Sequence, residues 1–197
     1  FDLTSRDCIV EQMVPTTNYG KSAFLTPYPL PQDASPVGWD VYRVLAAIDS
    51  TPIFVDSVRV TTLNAGQYFT GRLTKAAEVY SDKPFMVAQY KKTSSTGNTG
   101  LANSDPFMMM IPPSEQFLPS YRFISAQAVQ LNSNSERVKV YNFQYVNVVA
   151  PGTVIDKVVL DGANVSQSQF SRIGGSRFRS EEHMSELQSQ FRISYAV

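Results

Sequence analysis

The chain has 197 residues, 43% hydrophobic and 17% charged, and its 17 basic and 17 acidic side chains cancel. That length and apolar content can bury a core as one domain or two small ones, while zero net charge removes the electrostatic case for nucleic acid or an anionic membrane as partner. No apolar run approaches the ~18 residues of a membrane-crossing helix, so membrane insertion is not expected. A single cysteine, Cys8, and a single histidine, His183, exclude an internal disulfide framework and a Cys/His zinc site. They also exclude any Ser-His-Asp or Cys-His arrangement that does not use one of them. The opening "FDLTSRD" lacks an initiating Met and a signal-peptide pattern, which reads as a fragment cut from a longer protein. Cys8 reads as a buried thiol or as half of a disulfide whose partner lies upstream.

In chain order, "WDVYRVLAAI" (39–48) alternates, placing Tyr42, Val44, Ala46 and Ile48 on one face of a strand. "PIFVDSVRVTTL" (52–63) is β-branched and ends in "NAG", where Gly66 supplies a positive φ. "QYFTGRL" (67–73) follows. "KPFMVAQY" (83–90) is apolar on both faces, as an interior strand is. "KKTSSTGNTGLANSD" (91–105) reads as a solvated loop, or as a binding loop carried on a rigid sheet.

"FMMMI" (107–111) ends at Pro112 and Pro113, neither of which has an N–H to donate. Consecutive methionines scatter to alternating faces, so Met108, Met109 and Met110 do not converge on a soft metal. They are expected to fill irregular core volume instead. No metal or other cofactor is expected. "ERVKVYNFQYVNVVA" (136–150) reads as a long strand aligning Tyr141, Phe143 and Tyr145, and "DKVVLDGANV" (156–165) as a hairpin closed at Asp161-Gly162. The fold class is therefore all-β, an antiparallel β-sandwich or two packed sandwich-like halves near 1–125 and 126–178.

A weak internal repeat aligns "AAIDSTPIFVDSV" (46–58) with "VAPGTVIDKVVLDGANV" (149–165). The first copy leads on to "AEVYSDKPFMVAQY" (77–90), and the second demands a matching last strand. Instead "RSEEHMSELQS" (179–189) is rich in helix formers, with Met184, Leu187 and Phe191 at helical spacing, and predicts helix or coil over 180–190.

Five segments in order resemble one family. They are "CIVEQMVPTTNYGKSAF" (8–24), "YRVLAAIDSTPIFVDS" with "TLNAGQYF", "SDKPFMVAQY", "DPFMMMIPPSEQFLPSYRF", and "YVNVVAP" with "VVLDGANV". Together they resemble the N-terminal domain family of the IgG Fc-binding protein, in its bacterial form, from about residue 8 to residue 178. The resemblance implies an extracellular or cell-surface β-rich domain. The family takes its name from a mucus glycoprotein that binds the Fc region of IgG, and it also occurs beside adhesion modules in large bacterial surface proteins. It implies no catalytic residue and no cofactor. Residues 179–189 resemble, at every position but Met184, the translation of a sequencing-library adapter, which has Thr there. Residues 179–197 are therefore expected to be a non-native tail, against the alternative of a genuine amphipathic helix.

The leading function is a non-catalytic recognition or adhesion domain, with Tyr19, Lys91, Lys92, Asn98 and Asn103 as candidate ligand-binding residues on loops. A protein or glycoprotein is the expected partner, immunoglobulin Fc among them by family name. A carboxylate-dependent hydrolase would draw on Asp40, Asp49, Asp82, Asp105 and Glu115, but no spacing favours a pair. A structural spacer without a ligand is the third reading. Asn164-Val165-Ser166 has the form of a glycosylation sequon.

Overall fold

The computed structural model describes residues 9–28, 40–91, 107–124, 129–139, 143–186 and 190–194, with only the backbone described at 139, 143–145, 182–186 and 190–194. The described chain is all-β and antiparallel throughout, the β-sandwich class that the alternation predicts. Among the described residues, helix is confined to single 3-10 turns. Two compact units emerge, residues 1–117 with 173–176, and residues 118–172 with 177–197.

The first unit is one seven-stranded sheet curled into a half-barrel. Its strands are β1 (Gly20–Leu25), β2 (Asp40–Ala46), β3 (Thr51–Val55), β4 (Val58–Leu63), β5 (Tyr68–Leu73), β6 (Ala77–Lys91) and β7 (Phe107–Ile111). The long β6 is its spine. On one edge its first half pairs with β3 and its second half with β2, and on the other edge the same halves pair with β1 and β7. The changeover falls at Ser81-Asp82-Lys83-Pro84, where the Ser81 hydroxyl accepts the Lys83 N–H and proline contributes no donor. Every residue from Phe85 to Tyr90 is buried, which is why this run is apolar on both faces. In the first half only Ala77, Val79 and Ser81 are buried.

β2 buries Tyr42, Val44 and Ala46 as its alternation requires, while Ile48 lies past the strand and is exposed. They join Ala23, Leu25, Ile53, Leu63, Leu73, Val79, Phe85 and Val87 in one core. Full burial of side chains such as Ile53 or Leu25 contributes roughly 1.5–3 kcal/mol each.

The run 52–63 is two strands rather than one. Asp56 and Ser57 both take positive φ (47° and 72°) and turn β3 into β4, the backbone a two-residue hairpin demands. The expected turns at Gly66 (φ 77°) and at Asp161-Gly162 (φ 51° and 85°) are present. β7 departs from expectation. Among the described residues it pairs only with β6, and Phe107 and Met109 are exposed while Met108, Met110 and Ile111 are half-buried. The methionines are thus exposed or half-buried rather than filling the core.

The second unit holds β8 (Ser120–Ile124), β9 (Val129–Leu131), β10 (Arg137–Lys139), β11 (Phe143–Pro151), β12 (Val159–Leu160), β13 (Ala163–Asn164), β14 (Ser171–Arg172), β15 (Phe178–Glu186) and β16 (Gln190–Ser194). They form a β9–β10 hairpin, a β11-β15-β14 sheet and a β13-β12-β16-β8 sheet. Of the predicted strand over 136–150, the described parts are 137–139, paired with β9, and 143–151, paired with β15. Tyr141 lies outside the described residues. The core joins Val146, Val148 and Ala150 to Ile155, Val158, Leu160, Val165 and Phe170.

The tail corrects the sequence reading. Residues 178–186 are neither helix nor coil. They form β15, paired in unbroken register with β11 from Phe143↔Glu186 to Pro151↔Phe178, and flanked by β14 on the other side. An isolated helix of this length is marginal in water, whereas β11 offers a full ladder of backbone donors and acceptors that a strand satisfies. Non-local pairing therefore overrides local propensity. The counterpart strand that the repeat demands is also accounted for, since β15 pairs with β11 as the second half of β6 pairs with β2.

Candidate functional site

The segment between β6 and β7 is the longest polar stretch, and the two strands place its ends side by side, with Lys91 paired to Phe107. Lys92, Asn98, Asn103 and Asp105 lie outside the described residues, as does Cys8. The base of the segment is described in full. The Lys91 ammonium sits 5.8 Å from the Phe107 ring centroid, and that ring meets Tyr28 edge-on at 4.7 Å.

Beneath them lies a buried polar clamp. Asp40 is 6% exposed and Gln89 1%. The Asp40 Oδ2 accepts the Tyr28 N–H at 2.7 Å and the Gln89 side-chain amide at 3.1 Å, and that amide also donates to the Thr26 carbonyl at 2.7 Å. The chain leaving β1 is thus tied to β2 and β6 at the root of the segment. Burial, and then the Asp40 charge, push the Tyr28 phenol far above its ordinary value, so it stays neutral in any physiological medium.

Tyr19 is placed elsewhere, at the opposite end of β7. It borders a groove of about 130 Å³ with Val14, Phe85, Met86, Met110 and Pro113. Ligand pockets for drug-sized molecules run to roughly 300–1,000 Å³, so this groove suits one or two apolar side chains rather than a cofactor. Its wall is fixed by Gly20, where a Cβ would run into the Pro113 ring, and by the Lys21 N–H donating to Glu115 at 2.7 Å. The Gln116 amide donates to the Asn18 carbonyl at 2.9 Å. Burial raises the Tyr19 phenol as well. Tyr19 and Lys91 therefore belong to separate places on one sheet.

The described carboxylates among those considered for hydrolysis have structural partners. Asp40 holds the clamp, Asp49 accepts the Ala65 N–H at 2.9 Å, and Glu115 accepts the Lys21 N–H. Asp82 lies at the β6 changeover. Among the described residues no group of three His, Cys, Asp or Glu side chains could hold a metal ion, and no helix is long and apolar enough to cross a membrane. Asn164 is exposed on β13. The residues that sequence reading missed are Thr26, Tyr28 and Gln89. Strand β1 was not recognised because "GKSAFL" is short and unalternating, so nothing signalled its exit as a structural joint.

The sequence profile of the IgGFc binding protein family matches residues 1–192, nearly the whole chain. The chain belongs to the IgGFc binding protein family. Searches of curated proteins and of solved structures return no match. The IgGFc binding match spans both compact units and reaches through β15 into β16, beyond the limit of about residue 178 drawn from the sequence motifs. This is a family of binding domains.

Proposed function

We propose that the chain is a non-catalytic protein-recognition or adhesion domain of a larger secreted or cell-surface protein of bacterial type. Membership of the IgGFc binding protein family over residues 1–192 is the observation that carries this reading. The geometry supports it, since residues 92–106 connect the spine strand β6 to its neighbour β7 at a root locked by the Asp40–Gln89 clamp. A segment mounted on a rigid sheet is where binding residues concentrate. Immunoglobulin Fc is the first partner to test, on the strength of the family's description.

The test is deletion of Thr93–Asn103 with a short Gly-Ser replacement, read by surface plasmon resonance against IgG Fc and by thermal melting. The expected outcome is loss of Fc binding with a nearly unchanged thermal midpoint. Retained affinity would place the site elsewhere, and a large fall in the midpoint would make the segment structural. Absence of Fc binding by the intact chain would favour another glycoprotein partner or the spacer role.

The domain division near residue 125 belongs to the same reading, as does the origin of the last residues. The strand pairing of residues 178–186 removes the conformational argument for a foreign tail. The likeness of 179–189 to translated adapter sequence remains the argument for one, and genomic reads that carry this segment into continuous coding sequence would end it.

A further inference from the structure

The outer face of β2 and β5, opposite the core, carries a second feature. Register places Arg43 beside Thr70, with Leu45 beside Tyr68 and Val41 beside both Arg72 and Tyr90. The Arg43 guanidinium lies 5.2 Å from the Tyr68 ring centroid and 5.4 Å from that of Tyr90, so two rings from flanking strands hold one cation. Tyr90 is buried and Tyr68 is 59% exposed. The Arg43 Nε is out of water and has no hydrogen-bond partner, and no described carboxylate pairs with the side chain.

We propose that this face docks an acidic segment of a protein partner, with Arg43, steadied by Tyr68 and Tyr90, receiving a carboxylate. The inference rests on the recognition reading above and gives it a partner chemistry. Charge complementarity carries it. The face presents Val41, Arg43, Leu45, Tyr68 and Thr70, with no described carboxylate paired to its Arg43, in a chain whose net charge is zero. A guanidinium already stacked on rings is pre-organised, so it loses little rotamer freedom when a planar carboxylate meets its outer nitrogens. Exposed tyrosine beside arginine is also the composition on which protein interfaces concentrate affinity. Lysine could not replace Arg43, because a point charge on a flexible stem neither stacks nor forks.

The experiment titrates acetylated hexaglutamate into the full chain at low salt, followed by amide and Arg43 Nε–H NMR shifts. Acetylated hexaglutamine and inorganic sulfate are run in parallel. Hexaglutamate should saturate and shift β2 and β5, while hexaglutamine should not. Arg43→Gln should weaken hexaglutamate binding about tenfold or more, the loss expected for a charged hydrogen bond. Arg43→Lys and Tyr68→Ala should each weaken it several-fold, and Tyr68 is exposed enough for its variant to fold. Deleting Thr93–Asn103 should leave hexaglutamate binding intact even as Fc binding is lost, so the two proposals fail separately. Equal binding of hexaglutamate and hexaglutamine would overturn the inference. So would binding of sulfate as tight as that of the peptide, or unchanged affinity in both Arg43→Gln and Tyr68→Ala.

Discussion

Glu78 shows how a single carboxylate on the spine strand couples stability to pH. Its carboxyl is raised above the ordinary 4.5, chiefly by burial, with a hydrogen bond from Ser22 opposing and the Asp56 charge adding to the rise. An acid whose folded-state value is raised favours folding when protonated. That contribution is present below the unfolded value and is lost as pH rises through the folded one. Glu78→Gln should therefore melt higher than the parent at neutral pH. The gap should close below pH 4.5, and calorimetry across that range checks it. A gap that persisted in acid would mean the substitution acts through packing. The Ser22 contact is long, at 3.5 Å, and the side chain is only half-buried, so the effect is expected to be small.

Among the elements, β6 organises the first unit, and the Asp40–Gln89 clamp fixes what leaves it. Asp40→Ala would strip the acceptor from the Tyr28 N–H and remove one of the two acceptors of the Gln89 amide, at a cost of about 1–3 kcal/mol for buried donors left unmet. Denaturant unfolding should show that loss. The Tyr28 phenol should titrate lower than in the parent yet remain above its ordinary value, because the charge is gone and the burial is not. An unchanged phenol would mean that Asp40 does not act on it. The edge strands differ in kind. β7 exposes Phe107 and Met109, whereas β5 exposes Tyr68, Thr70 and Arg72, so the acidic-partner proposal falls on the charged edge.

For the whole molecule, the two compact units draw on separate cores. Ending the chain after residue 177 removes β15 and β16, which leaves β11 and β8 without their long partners. The second unit should then lose its cooperative unfolding transition. The first unit, whose core uses none of those residues, should keep its own. Two-transition calorimetry of the parent against the truncated chain would show it, and a single transition lost as a whole would mean that the units fold as one.

The sequence by itself determined the class of structure, because two-residue alternation, β-branched runs and turn residues act over a few positions. It determined which face of β2 is buried, the turns at Gly66 and Asp161-Gly162, and the double-sided burial of Phe85–Tyr90. Five short motifs in order were enough for the family. The tertiary structure decided what depends on distant partners. Residues 179–186 have helical composition but become a strand, because β11 presents a ladder that no local preference can match. The three methionines of β7 are left exposed or half-buried, an outcome set by the strands and segments that cover them and not by their own sequence. The clamp joins residues 26, 28, 40 and 89, and the cationic sandwich joins 43, 68 and 90. Neither leaves a spacing to read, since both are contacts across strands whose pairing is set only when the sheet closes.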